Sequence, residues 1–156
     1  MQGPQIYATD IPSEWIDYND HLRDACYGLV ISHACDALMD RLGLDATYRR
    51  ETQCTLYTLE QHLHFLHEVK QADHLTVAVR LLAADHKRIH AAFDCYCARY
   101  ADPVAIGESI LLHVHQGARP ASAPFPAHVR HAIEALVAAT SKIEPPGPGS
   151  RRLELP

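Results

Sequence analysis

No Cys-x-x-Cys spacing occurs in the 156 residues, and the five cysteines (Cys26, Cys35, Cys54, Cys95 and Cys97) are odd in number. A zinc ribbon and a disulfide framework are therefore not expected, and reduced thiols point to a cytoplasmic location. Positive charge is also scarce: 14 Lys and Arg against 19 Asp and Glu leave a formal charge of −5. A general nucleic-acid binder needs the opposite balance, because it must displace counterions from phosphates. Nor does a basic stretch followed by an apolar run follow Met1, so no secretory signal is expected. The most apolar helical stretch, Ala25 to Leu44, contains His33, Asp36, Asp40 and Arg41, which would be costly in lipid. It reads as a helix buried inside the protein, and no membrane partner is expected. A Gly-rich phosphate loop and a dinucleotide fingerprint are missing, so no redox cofactor is implied. Gly107-Glu108-Ser109-Ile110-Leu111 lacks the second glycine of a nucleophile elbow, which disfavours a Ser-His-Asp hydrolase.

What is present suits one domain with a packed core, since 47% of the residues are apolar and 21% charged. Residues 5 to 11 read as a first strand, closed by Pro12. A loop from Ser13 to Asp24 then gathers Trp15, Asp17, Tyr18, Asn19, Asp20, His21 and Asp24 immediately before the long helix. In that helix Leu29, Val30, Ala34, Ala37, Leu38 and Leu42 cover most of the surface, leaving His33, Asp36 and Asp40 as one polar line, and Gly43 supplies a stop. So narrow a wet face calls for a sheet wrapped around it.

Alternation predicts strands over 56 to 69, 74 to 84 and 89 to 99, the last two joined by the polar turn Asp85-His86-Lys87-Arg88. Another strand follows Tyr100-Ala101-Asp102-Pro103, with Val104, Ile106, Ile110, Leu112 and Val114 on one face. A helix over Ala127 to Thr140 carries the stripe Val129, Ile133, Leu136 and Val137. The plan is α+β, with residues 1–143 as the domain and 144–156, rich in Pro and Gly and carrying Arg151-Arg152, as a flexible or loosely docked extension. Such a sheet has two exposed edges and one open face, which predicts at least a homodimer and admits a dimer of dimers.

The run Glu14-Trp15-Ile16-Asp17-Tyr18-Asn19-Asp20-His21-Leu22-Arg23-Asp24-Ala25-Cys26-Tyr27 resembles the signature of hotdog thioesterases related to 4-hydroxybenzoyl-CoA thioesterase. Asp17 takes the position of that family's catalytic Asp and His21 that of its His. Ala25 and Tyr27 match the start of its central helix. Asp20 stands where the family has glycine, a residue that adopts a left-handed conformation more easily, and Arg23 where a small or amide residue is usual. A narrower resemblance is to the carnitine-associated betainyl-CoA thioesterases. It is carried by Glu14 to Asn19, Cys35-Asp36-Ala37-Leu38, Tyr57-Thr58-Leu59-Glu60-Gln61-His62 and Asp85-His86-Lys87-Arg88-Ile89-His90. The resemblance implies a hotdog fold, an antiparallel sheet wrapped around a long central helix. It also implies hydrolysis of a small acyl-CoA thioester, with no separate cofactor because coenzyme A belongs to the substrate.

Such hydrolysis needs a nucleophile or a base for water, and a donor for the developing oxyanion. Asp17 is the candidate for the first. The unpaired N–H groups where the helix begins, around Asp24 and Ala25, are candidates for the second. Asn19 and His21 are expected to orient the loop, the water or the carboxylate. The plain alternative is that Asp17, Asn19, Asp20 and Asp24 only form a turn and cap, where such residues commonly occur. For a trimethylammonium acyl group, Trp15, Tyr18, Tyr57 and Glu60 are the candidate contacts. Lys87 and Arg88 are the candidates for the phosphates of coenzyme A at the pocket mouth.

Two rival functions are carried forward. A hotdog enoyl-CoA hydratase also brings Asp, Asn and His together, but in a pattern resembling Asp-x-Asn-Pro-x-His, whose proline and spacing this chain lacks. Twelve histidines, including His62-x-His64 and His113-x-His115, raise the possibility of a metal- or ligand-binding protein, although no neighbouring Cys or carboxylate pattern completes a metal site.

Overall fold

The computed structural model of the chain describes residues 3–147. Among the described residues the strands are β1 (Gln5–Asp10), β2 (Cys54–Phe65), β3 (His74–Ala84), β4 (Arg88–Cys97), β5 (Ala105–His115) and β6 (Ala121–Ser122). The helices are α1 (Asp24–Arg41), α2 (Ala46–Thr52) and α3 (Ala127–Thr140), with a single 3-10 turn at Ser13–Trp15. One antiparallel sheet has the order β1-β3-β4-β5-β2, with β6 beside β5. The β3-β4-β5 meander is the expected one. The strands that flank α1 in sequence lie at opposite ends of this order, so the curled sheet encloses the helix in the hotdog plan.

Helix α1 is held by Tyr27, Val30, Ile31, Ala34, Leu38 and Met39, which recur at helical spacing and are buried. It ends where Gly43 takes φ +80°. Leu75, Val77, Val79 and Leu81 of β3 and Ile89, Ala91, Phe93 and Cys95 of β4 share its core. On β5 the helix comes so close that a Cβ at Gly107 would lie 2.9 Å from Ile31 Cδ1.

Four expectations are corrected. Ile106, Ile110, Leu112 and Val114 do share a face, but it is the one turned away from α1; the face toward the helix carries Ala105, Gly107, Ser109 and Leu111, because close packing there needs small residues. That outer face is not open. It buries the Arg80–Asp94 ion pair at 2.6 Å and a His90–Glu108 contact at 3.0 Å, and the chain beyond α3 returns across it with Gly147 against Ile106 and Leu66. Strand β2 ends at Phe65, not at residue 69, and slips register between Thr58 and Glu60. Leu29, expected in the core, is 41% exposed, because the sheet of one chain covers only part of α1.

Helix α2 is an addition, started by Asp45, whose carboxylate accepts the Tyr48 N–H at 2.8 Å. Helix α3 has the expected bounds. The Thr140 hydroxyl accepts the Leu81 N–H at 3.2 Å, on the part of β3 that β1 does not reach. Of the proposed extension 144–156, residues 148–156, including Arg151 and Arg152, lie outside the described residues. No helix among the described residues is long and apolar enough to cross a membrane.

Candidate active site

The loop between β1 and α1 is a tight reversal. Ile16 and Leu22 form an antiparallel bridge, the Asp17 N–H donates to the His21 carbonyl at 2.8 Å, and the Asp20 N–H donates to the Asp17 carbonyl at 3.2 Å. Closing it requires a left-handed residue, and Asp20 supplies it at φ +62°. Aspartate is among the few side chains that visit this region, so the loop keeps its shape without glycine.

Within the reversal, Asp17 Oδ1 accepts the Asn19 N–H at 2.7 Å and the His21 N–H at 3.1 Å. The His21 N–H is the main cause that holds this carboxyl below its ordinary value, and the Asn19 N–H adds to it. Asp17 is thus an oriented, ionised carboxylate whose Oδ2 has no hydrogen-bond partner among the described residues. Asn19 and His21 do orient Asp17, but through their main-chain N–H groups and not through their side chains.

Next comes the start of α1. Arg23 is the N-cap and gives no side-chain cap, while Asp24 Oδ1 turns back onto the Ala25 N–H at 2.7 Å. The Cys26 N–H donates to the Arg23 carbonyl at 3.0 Å. Of these first N–H groups, that of Asp24 is left without a partner among the described residues, at the positive end of the helix.

Both groups border a cavity of about 640 Å³, lined by Asp17, Tyr18, His21, Leu22, Arg23, Asp24, Ala25, Tyr27, Phe65, His67 and Glu68. That volume suits a small acyl group with part of its carrier. The Tyr27 and Phe65 rings meet edge to face at 5.2 Å, and burial pushes the Tyr27 phenol well above its ordinary range, so this wall is aromatic and uncharged. The opposite rim is polar: His21 Nε2 lies 2.9 Å from Glu68 Oε2, and Glu68 Oε1 lies 3.4 Å from Lys70. Arg99 ties this rim together by donating to the Glu68 carbonyl and pairing with Asp73, both at 2.8 Å. The His67 ring stacks on Tyr100 at 4.3 Å.

The structure therefore brings Asp17, Tyr18, His21 and Asp24 to one cavity, as the sequence suggested. Trp15 packs beside the core and does not line it. Tyr57 and Glu60 sit on β2 at the level of Leu112 and Ile110, well up the strand from Phe65. Lys87 and Arg88, expected at the pocket mouth, lie at the far end of the sheet in the same chain. Phe65, Ala105 and Cys95 share one level, and Arg88 is seven residues beyond Cys95 along β4, roughly 23 Å at strand rise. Arg88 is engaged there by Asp85 at 2.7 Å, and Lys87 donates to Ser122 at 3.3 Å.

The sequence reading missed Tyr27, Phe65, His67 and Glu68 as lining residues. Tyr27 had a signal, since it lies one turn beyond Asp24 on the same helix face. The other three arrive from a distant strand end and had none. As for the histidines, no group of three or more His, Cys, Asp or Glu among the described residues could hold a metal ion.

A family model described as the thioesterase-like superfamily matches residues 11–133. A betainyl-CoA thioesterase from Pseudomonas aeruginosa is 43% identical over 150 residues, covering 96% of this chain and 94% of that protein. An L-carnitine dehydrogenase/betainyl-CoA thioesterase from Agrobacterium fabrum is 38% identical over 129 residues, which are 81% of this chain but 26% of that longer protein. Among solved structures, a Pseudomonas putida chain provisionally described as a thioesterase superposes with a TM-score of 0.84 at 38% identity, covering 100% of this chain and 99% of that one. A Staphylococcus aureus protein solved in complex with CoA gives a TM-score of 0.87 at 25% identity, covering 100% and 98%.

Proposed function

The chain belongs to the thioesterase-like superfamily and is an acyl-CoA thioester hydrolase, and from that premise we propose that its substrate is betainyl-CoA. The observation that carries the chemistry is the placement of the ionised Asp17, with Oδ2 unpartnered among the described residues, on the same cavity as the unpartnered Asp24 N–H. The carbonyl oxygen of the thioester is directed at that N–H, which stabilises the oxyanion as it forms. Asp17 attacks the carbonyl carbon or removes a proton from the water that does. The carbon–sulfur bond breaks, coenzyme A leaves as the thiolate, and the hydroxyl of water ends on the acyl group. The Asp17 carboxylate, the Asp24 main-chain N–H and water make up this scheme, and no separate cofactor enters it.

The working assembly in this reading is a homodimer in the cytoplasm. Strand β2 is an edge that presents Leu59 at 52%, Phe65 at 53% and Tyr57 at 38% exposure, and the exposed Leu29 belongs to the helix that approaches this strand at Gly28 and Gln61. Among the described residues this twelve-residue edge has no further strand beside it, and its exposed Tyr57, Leu59 and Phe65 invite a second copy. Antiparallel pairing of two β2 strands near their middles would bring Tyr57 of one copy toward the Phe65 end of the other, and with it the sheet end that holds Lys87 and Arg88, while Glu60 stays at the middle of the seam. Leu59→Asp is expected to leave monomers in sedimentation velocity.

The test of function is a thiol-release assay on purified protein over betainyl, short-chain, medium-chain and aromatic acyl-CoAs. Betainyl-CoA should give the highest kcat/KM. Absence of thiol release from the whole panel, or hydration of an enoyl-CoA in its place, would overturn the reading.

A further inference from the structure

Three carboxylates border the cavity, and they are not equivalent. Asp17 is committed to the reacting carbon. Glu68 is already surrounded by basic groups, with His21 at 2.9 Å, Lys70 at 3.4 Å and Arg99 at 3.9 Å. Asp24 is held only by the Ala25 N–H through Oδ1, and among the described residues it has no ion pair. Arg23, its neighbour, lines the same cavity but is exposed at the rim. Asp24 is thus the one pocket carboxylate with charge to spare for a ligand.

The shortness of the acyl group decides where such a charge is needed. In a betainyl thioester one methylene separates the carbonyl carbon from the quaternary nitrogen, so the cation is roughly 2.5 Å from the reacting carbon. With the carbonyl oxygen on the Asp24 N–H, the trimethylammonium must lie within contact of the first residues of α1. A helix N-terminus repels a cation, and a carboxylate on its first residue reverses that field. Glu60 is five residues from Phe65 along β2, roughly 17 Å, too far within one chain. One turn along the same helix face, the buried Tyr27 and the half-exposed Phe65 meet edge to face and offer the aromatic surface that a quaternary ammonium favours.

We propose that Asp24 is the specificity residue of this pocket, selecting acyl-CoA thioesters whose acyl group carries a cation next to the carbonyl, with the neighbouring Tyr27–Phe65 pair as the aromatic wall. The inference rests on the thioesterase reading above and adds to it the charge of the acyl group and the residue that reads it. This role belongs to the side-chain charge and is distinct from those of Asp17 and of the Asp24 N–H, because removing the charge should change the preference between substrates.

The experiment compares betainyl-CoA with the tert-butylacetyl thioester of coenzyme A, its neutral isostere, using wild type, Asp24→Asn, Glu68→Gln and Glu60→Gln as full-length chains. The wild type should prefer betainyl-CoA by about tenfold or more in kcat/KM. Asn keeps an acceptor for the Ala25 N–H, so Asp24→Asn should remain folded by circular dichroism. The ratio of kcat/KM on betainyl-CoA to that on the neutral thioester should fall about tenfold or more in Asp24→Asn, while the Glu68 and Glu60 variants change both substrates alike and leave that ratio in place. Equal losses on both substrates in Asp24→Asn, or a selective loss in Glu60→Gln or Glu68→Gln instead, would assign the charge reading elsewhere and overturn the inference. Equal hydrolysis of the two thioesters by wild type overturns it too, while leaving the thioesterase reading intact. Hydrolysis of neither overturns both.

Discussion

The two ends of one sheet each hold a histidine within reach of a neighbouring element, and the two clusters behave in opposite ways. At the far end His113 is 1% exposed; its Nδ1 donates to the Ala123 carbonyl at 2.9 Å, and its Nε2 accepts the Tyr48 hydroxyl at 2.9 Å. A carbonyl can only accept, which settles the tautomer and leaves neither ring nitrogen spare. At the pocket end His21 is half exposed and pairs with Glu68, while beside it Asp17 keeps a carboxylate oxygen and Asp24 keeps an N–H without protein partners among the described residues. Saturated polar groups sealed from water act as struts that join α2, β5 and the segment before α3. Unsaturated ones facing a cavity are what a reaction can use.

The sharpest way to break this contrast is to disable the unsaturated end. Asp17→Asn should keep the fold and lose at least roughly a hundredfold in turnover, as expected for deleting a base or nucleophile. Unchanged turnover in a folded variant would remove Asp17 from the chemistry. The same carboxylate sets the pH response. Its pKa is lowered from 3.8, chiefly by the His21 N–H, so the ionised form is the one the folded loop favours. Any stability this adds is present above pH 3.8 and is lost as the pH falls through the lowered value. The acid limb of the kcat/KM profile should accordingly lie below pH 3.8 while the protein stays folded, and a limb near neutrality would mean that Asp17 does not set it.

Disabling the saturated end should do the reverse. His113→Ala opens a cavity and strands the Tyr48 hydroxyl, which together cost on the order of 2–4 kcal/mol. A fall in melting temperature of roughly 5–10 °C is expected for a chain of this size, with turnover per folded molecule unchanged within about twofold. A loss of turnover without loss of stability would mean that the two ends are coupled. The smallest effect belongs to Asp20→Gly, which relieves the left-handed strain at φ +62° but loosens the unfolded chain. These terms oppose each other, so thermal unfolding should move by less than about 1 kcal/mol in either direction, with Asp17 chemistry preserved.

Much of the pocket's near side was legible because it is local. Asp17, Asn19, Asp20, His21 and Asp24 lie within eight residues, and Asx-type turns and helix starts are built from such short-range hydrogen bonds. The reading still misjudged how they act: Asn19 and His21 serve through main-chain N–H groups, which no side-chain inventory reveals. Strand alternation found β3, β4 and β5 but not which face of β5 meets the helix, because a period of two cannot tell the two faces apart when both are buried. The small residues Ala105, Gly107 and Ser109 were the available clue, since close approach of α1 demands them.

Local bonding and periodicity, both functions of sequence distance alone, determined the elements, the reversal that aims Asp17, and the helix start beside it. Only the tertiary structure decided that Phe65, His67 and Glu68 close the cavity, that Lys87 and Arg88 stand at the opposite end of their own chain, and that the outer face is buried. The reason is physical: which distant strand ends meet is set by sheet order and register, and those are chosen by the packing of the whole core around α1, not by any one segment.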